Sequence, residues 1–147
     1  MSMPYTQQIA LREKRPLIKT ILVVEDDDNL AELIMEVIQQ EGPRDKTPYK
    51  PVLATDSMRA LEISRTIKPD LFLLDYYLPR MNGLELYDRL HAMEGLEETP
   101  AIFMSANPPR QEIEKRNLIS VKKPFNLKDL LHTIESCLLY TSDAADD

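Results

Sequence analysis

Cysteine, glycine and tryptophan are scarce: the 147 residues include one cysteine, three glycines and no tryptophan. A single cysteine, Cys137, excludes an internal disulfide framework and a metal site of several cysteines, which fits a reducing compartment. No apolar run approaches the roughly 18 residues that a spanning helix needs, and the N-terminus has no apolar core typical of a signal peptide. We therefore expect a cytoplasmic protein without a membrane partner.

Basic residues are also in deficit, with 18 lysines and arginines against 25 aspartates and glutamates. The net charge of −7 and the pI of about 4.9 argue against direct nucleic-acid binding, which needs a basic surface. Hydrophobic residues make up 43% of the chain and charged residues 29%. These proportions are ordinary for one globular domain of this length.

Short apolar segments alternate with segments of helical periodicity, and this pattern predicts an α/β fold. Five apolar segments read as strands, and an amphipathic or strongly charged helical segment follows each of them. Right-handed crossovers then give a doubly wound parallel sheet with helices on both faces. The predicted strands lie at about 20–24, 52–54, 71–74, 100–104 and 118–121.

The termini differ in character from the middle of the chain. We expect a flexible leader at 1–18, one folded domain at 19–139 and a disordered, acidic tail at 140–147. The string Cys-Leu-Leu-Tyr-Thr-Ser-Asp-Ala-Ala-Asp-Asp, which begins at residue 137, resembles the translation of a sequencing adapter. A sequencing artefact is therefore an alternative origin for the chain beyond about residue 137.

The third strand ends on an acid and is followed at once by a turn. Asp75 follows the uninterrupted apolar run 71–74, and Pro79 with Asn82-Gly83 then predicts a loop. In open parallel sheets, ligands bind beyond the carboxyl ends of the strands. A lone aspartate in this position is nevertheless more often a capping residue.

Polar residues stand at the ends of three other strands as well. Glu25 and Asp26 follow the first strand, Ser105 the fourth and Lys123 the fifth. Adjacent strands lie about 4.8 Å apart, so these side chains can converge with Asp75. Three carboxylates suit Mg²⁺, and a hydroxyl with an ammonium suits a dianionic group, as phosphoryl transfer requires. The simpler alternative is that these residues only cap strands.

Four segments, in order and each at a strand end, resemble the receiver domain of two-component response regulators. They are the acidic pair after 21–24, the segment 73–83, Met104-Ser105-Ala106 and Lys123-Pro124-Phe125. The resemblance runs from about 19 to 138. It implies a flavodoxin-like sheet with strand order 2-1-3-4-5 and a single-domain bacterial signalling phosphoprotein.

The resemblance implies a specific role for each residue of the acidic group. Asp75 would accept a phosphoryl group from the phosphohistidine of a histidine kinase or phosphotransfer protein. Glu25 and Asp26 would hold Mg²⁺ together with Asp75 and the backbone carbonyl of Tyr77. Ser105 and Lys123 would each contact a phosphoryl oxygen, and the signal would pass to an unidentified downstream protein. Apart from Mg²⁺-dependent self-phosphorylation and autodephosphorylation, no enzyme activity is expected.

Two departures from the family pattern concern the output region. Ser120 stands three residues before Lys123, where the family usually has an aromatic residue whose rotation reports phosphorylation. Only 18 positions separate Ser105 from Lys123, fewer than is usual, which predicts a shortened fourth helix.

Three alternatives stay open at the level of sequence. The missing aromatic residue slightly favours a docking module that works without phosphorylation, whereas the acidic pair and Lys123 argue against one. An aspartate-nucleophile phosphohydrolase usually has a second acid two residues after its nucleophile, and Tyr77 in that place argues against one. Finally, the chain is compatible with an N-terminal fragment of a longer regulator that has lost its output domain.

Overall fold

A computed structural model describes residues 18–40 and 48–145, so all of the predicted leader except Ile18 lies outside the described residues. Strands and helices alternate strictly through the described ranges. The elements are β1 Lys19–Val24, α1 Asp28–Gln40, β2 Tyr49–Ala54, α2 Ser57–Thr66, β3 Leu71–Asp75, α3 Gly83–His91, β4 Ala101–Ser105, α4 Arg110–Lys115, β5 Ile119–Lys122 and α5 Leu127–Ala145.

The five strands form one parallel sheet in the order β2-β1-β3-β4-β5, which confirms the predicted topology. The register aligns the carboxyl ends of neighbouring strands. Val24 pairs with Leu74, and Asp75 pairs with Met104 one position further along. Ser105 then pairs with Lys122. The residues that follow β1, β3, β4 and β5 therefore emerge at one edge of the sheet.

Separate hydrophobic cores lie on the two faces of the sheet. Successive strand side chains point to opposite faces, so Phe72 and Leu74 pack with residues of α2 and α3. Leu71 and Leu73 pack with residues of α1 and α5. Burial on both faces explains why β3 is apolar at every position before Asp75. The doubly wound arrangement is confirmed.

The fourth helix is short, as predicted: α4 spans six residues, and none of those six described residues is buried. The sequence in this helix is strongly charged, with Ile113 as its only apolar residue. Such a helix has little apolar surface to bury against the sheet. It therefore lies on the fold without contributing to either core.

The prediction of a disordered tail from residue 140 was wrong for 140–145, because α5 continues to Ala145. No glycine or proline interrupts the sequence between 127 and 145, and these are the residues that disfavour a helix interior. Cys137 and Leu138 are buried within the core on this face. Residues 146 and 147 lie outside the described residues, and the adapter-like origin of the segment stays a prediction.

Gly83 allows the loop after β3 to fold back on the end of that strand. Its backbone N–H donates to the Tyr76 carbonyl at 2.7 Å. A Cβ atom at Gly83 would lie 2.5 Å from the Asp75 carbonyl oxygen and 2.9 Å from the Tyr76 Cα. Both atoms belong to the backbone and cannot move aside as a flexible side chain can. The backbone at Asp75 can therefore adopt this position only because the residue at position 83 has no side chain.

We expect Gly83→Ala to lower the free energy of unfolding by about 2 kcal/mol or more, because the added methyl group overlaps two backbone atoms. Chemical denaturation measures this change, and amide NMR shifts of residues 75–77 report the displaced loop. Gly95→Ala is the matched control. Gly95 has φ +89°, and its nearest atoms are side-chain atoms of Lys68 at 3.8 Å. An alanine at this φ costs about 1 kcal/mol in backbone strain, and we expect no change at residues 75–77. Equal effects of the two substitutions would contradict the steric argument.

Candidate functional site

Three buried polar residues line the carboxyl edge of the sheet. Glu25 directly follows β1 and is fully buried, Asp75 ends β3 and is 5% exposed, and Ser105 ends β4 and is 1% exposed. The backbone N–H of Glu25 donates to the Ala54 carbonyl at 3.2 Å, which ties this residue to the end of β2. Carboxylates are rarely buried unless they have a charged partner or a metal ion. The edge is therefore the part of the fold with unusual chemistry.

The carboxylates form a compact group. Glu25, Asp26 and Asp75 each offer one oxygen, and these oxygens all lie within 4.8 Å of one another. Two of the residues are buried, whereas Asp26 is exposed, so the group is open to solvent on one side. Hard oxygen donors in this number fit Mg²⁺, which binds a few carboxylates and keeps several waters. The residues present therefore fit the predicted ion.

Lys123 supplies the positive charge of the site. Its ammonium Nζ lies 2.8 Å from Oε1 of Glu25 and 3.4 Å from Oδ2 of Asp75. Its backbone N–H donates to the Ser105 carbonyl at 2.8 Å, and its peptide bond to Pro124 is cis. The lysine thus reaches from the end of the edge strand β5 across β4 to Glu25, which follows β1, and to Asp75, which ends β3.

The environment shifts two ionisable groups of the site. Burial raises the pKa of Glu25 to about 7, and the charge of Asp75 adds to this shift. The hydrogen bonds from Lys123 and from the backbone N–H of Asp27 act in the opposite direction. Burial alone would lower the pKa of Lys123, but its hydrogen bond to Glu25 and the charge of Asp75 outweigh burial and raise that pKa. Lys123 is therefore charged, and Glu25 changes its charge near neutral pH.

Ser105 presents a hydroxyl beside this group. Within residues 18–40 and 48–145, Ser105 Oγ makes one hydrogen bond, in which it accepts from the backbone N–H of Asn107 at 3.1 Å. The hydroxyl proton is consequently available to an incoming acceptor. The site residues predicted at the strand ends therefore lie together at one edge of the sheet.

Tyr77 has contacts that the sequence did not reveal. Its backbone N–H donates to Asp75 Oδ1 at 3.2 Å, and its hydroxyl donates to the Asn107 carbonyl at 2.9 Å. The sequence drew attention to Tyr77 through its backbone carbonyl and through the lack of a second acid at its position, and it gave Asn107 no role. No motif signals such a bridge, because it depends on the relative placement of two loops.

In the described ranges 18–40 and 48–145, no helix has both the length and the apolar character that crossing a bilayer requires.

Comparison with known sequences gives the following matches. Residues 21–135 match the family described as the response regulator receiver domain. The DNA-binding response regulator MtrA of Mycolicibacterium smegmatis is 32% identical over 127 residues, which cover 84% of this chain and 52% of MtrA. The polar-differentiation response regulator DivK of Brucella anthropi is 27% identical over 124 residues, 82% of this chain and 96% of DivK. The chain thus spans about half the length of the MtrA relatives that it matches.

Solved structures show the same architecture. A CheY-like receiver domain protein of Methanospirillum hungatei superimposes with a TM-score of 0.74 at 24% identity, covering 86% of this chain and 98% of that one. The non-phosphorylated HemR receiver domain of Leptospira biflexa gives a TM-score of 0.69 at 28% identity, with coverages of 82% and 94%. Because the sequence match covers most of the chain and the strand order agrees, the protein belongs to the response regulator receiver domain family.

Proposed function

We propose that this receiver domain accepts a phosphoryl group on Asp75 from the phosphohistidine of a histidine kinase or a phosphotransfer protein. The signal then passes to a downstream partner through changed binding. One observation carries the proposal: a nearly buried aspartate lies beside two further acids and 3.4 Å from a lysine ammonium. Its position at the carboxyl edge of a parallel sheet is where such folds bind ligands. The cytoplasmic location stays a prediction.

The transfer exchanges one bond to phosphorus for another. A carboxylate oxygen of Asp75 attacks the phosphorus, a P–O bond forms, and the P–N bond to the donor imidazole breaks. The imidazole leaves with the electron pair of that bond and is protonated by solvent. The product is an acyl phosphate, and hydrolysis of its P–O bond by water regenerates Asp75.

The neighbouring residues of the chain stabilise the transferred group. Lys123 can shift its ammonium from Glu25 to a phosphoryl oxygen, because the new group carries about −1.5 to −2 charges. The free proton of the Ser105 hydroxyl can be donated to another phosphoryl oxygen. Glu25, Asp26 and Asp75 would hold Mg²⁺, with the Tyr77 carbonyl as a further ligand. The ion would neutralise charge that develops during transfer.

A docking module that works without phosphorylation is less well supported. Burying the carboxylates of Glu25 and Asp75 costs several kcal/mol per ion before they pair with the partly buried Lys123. A module that only docks has no use for such a group, whereas phosphoryl transfer requires it. An output domain beyond the described chain, as the longer regulators of this family have, likewise stays a prediction.

Asp75→Asn should abolish acyl-phosphate formation, because the amide lacks the nucleophilic carboxylate. Incubation with acetyl phosphate and Mg²⁺, followed by intact-protein mass spectrometry, measures the gain of one phosphoryl group. Asp56→Asn is the matched control. Asp56 caps α2 by accepting from the backbone N–H of Arg59 at 2.7 Å, and asparagine caps as well as aspartate. The control should label like the wild type, and wild-type labelling of the Asp75 variant would refute the assignment.

The affinity for Mg²⁺ should increase as the pH rises from 6 to 8. The pKa of Glu25 without metal is about 7, so below that pH a proton occupies the carboxylate that the ion needs. The Kd should then weaken by about tenfold for each pH unit below the pKa. Isothermal titration calorimetry at three pH values measures this dependence. Glu25→Gln should bind more weakly and with little pH dependence in this range. A wild-type Kd that is constant from pH 6 to 8 would exclude Glu25 as a ligand that competes with protons.

A further inference from the structure

Position 120, where this family usually has an aromatic residue that reports phosphorylation, is a serine in this chain. Ser120 lies on the edge strand β5 and is exposed. A phosphoryl group on Asp75 must therefore influence the surface by another route. Tyr77, in the loop after β3, reaches the loop after β4, where its hydroxyl donates to the Asn107 carbonyl.

Three hydrogen bonds connect Asp75, the proposed phosphoryl acceptor, with Ser105, which would contact the transferred group. Starting from Asp75, the backbone N–H of Tyr77 donates to Oδ1 at 3.2 Å. The Tyr77 hydroxyl donates to the Asn107 carbonyl at 2.9 Å. The Asn107 N–H then donates to Ser105 Oγ at 3.1 Å. In this series of hydrogen bonds, the Tyr77 side chain makes the contact between the β3–α3 loop and the β4–α4 loop.

The Tyr77 ring is held weakly enough to respond to a change in the site. It is 54% exposed and packs edge-on against the Tyr76 ring, with ring centroids 4.8 Å apart. An exposed hydrogen bond contributes about 1 kcal/mol or less to stability. A new charged group that contacts both Asp75 and Ser105 supplies charge-assisted bonds of greater strength. Phosphorylation can therefore change the geometry of the Tyr77 bridge.

The β4–α4 loop passes such a change directly to α4. Asn107 precedes Pro108 and Pro109, and Pro109 is the N-cap residue of α4, without a side-chain capping hydrogen bond. Pro108 also lines a surface pocket of about 260 Å³ between α4 and β5, together with Ile113 and Ser120. Because no residue of α4 is buried within Arg110–Lys115, no core contact holds this helix in place. A displacement of Asn107 thus alters the shape of the pocket.

We propose that the Tyr77 side chain couples the state of Asp75 to the position of the β4–α4 loop and α4, in place of the aromatic residue missing at position 120. This inference rests on the proposed function. Tyr77 acts as a positioning residue: its backbone follows Asp75, and its hydroxyl holds Asn107. When the Ser105 hydroxyl turns toward a phosphoryl oxygen, its hydrogen bond with the Asn107 N–H changes. The Tyr77 hydroxyl acts on the Asn107 carbonyl at the same time, and α4 moves with Asn107.

Amide NMR of the full chain tests this coupling. Spectra are recorded with Mg²⁺, before and after addition of beryllofluoride, which mimics a phosphoryl group on a carboxylate. In the wild type we expect shift changes at Asp75, at Asn107 and throughout 110–115. In Tyr77→Phe the changes at 110–115 should fall to less than half, because phenylalanine keeps the ring and the backbone but lacks the hydroxyl. The spectra are compared at saturating beryllofluoride, and labelling by acetyl phosphate is measured in parallel, so that reduced occupancy of Asp75 is not mistaken for lost coupling.

Tyr76→Phe is the matched control. Within the described part of the chain, the Tyr76 hydroxyl makes no hydrogen bond, so its loss should leave the response of α4 unchanged. A full wild-type response at 110–115 in Tyr77→Phe, with labelling intact, would overturn the coupling alone. A wild type that neither labels with acetyl phosphate nor shifts at Asp75 would overturn the proposed function, and the coupling with it. The two failures are thus distinguished by the wild-type measurement.

Discussion

The contact of one lysine with two buried acids sets the requirements for the rest of the fold. Lys123 lies 2.8 Å from Glu25 and 3.4 Å from Asp75, although 98 positions separate Lys123 from Glu25 in the sequence. Buried charges are tolerated only when they are paired closely, so β1, β3 and β5 must keep their register. The apolar strands provide this rigidity, since β3 is buried at all five positions. The hydrophobic core therefore serves to hold a small polar group at its edge.

The backbone of the loops after β3 and β4 also helps to orient the residues of the site. Gly83 lets the chain return to the carbonyl oxygen of Asp75, and Asn82 caps α3 by accepting from the Glu85 N–H. On the other side, the Asn107 N–H fixes the Ser105 hydroxyl as an acceptor. Each loop thus orients a residue of the site by means of backbone atoms. This explains how exposed loops can position a site as well as a buried strand does.

Local patterns in the sequence were sufficient to predict a parallel sheet and the edge at which Glu25, Asp75 and Lys123 meet, whereas the strand order followed from the family resemblance. Apolar runs and strand ends are local features, and parallel topology brings such ends together. The bridge from Tyr77 to Asn107 could not be predicted, because it depends on where two loops lie relative to one another. The extension of α5 to Ala145 was missed for a different reason: a polar, acidic composition suggested disorder, although no residue there breaks a helix.

The shortness of α4 has a consequence for the energetics of signalling. With no buried side chain among its six residues, this helix contributes almost nothing to the cooperative unfolding of the domain. Segments of this kind open locally at low free energy while the core stays intact. A ligand shifts a two-state equilibrium only by its difference in affinity for the two states, and a few kcal/mol is enough to reverse the populations. The phosphoryl group proposed for Asp75 would therefore need to supply only a small free energy to redistribute the conformations of this region while the core stays folded.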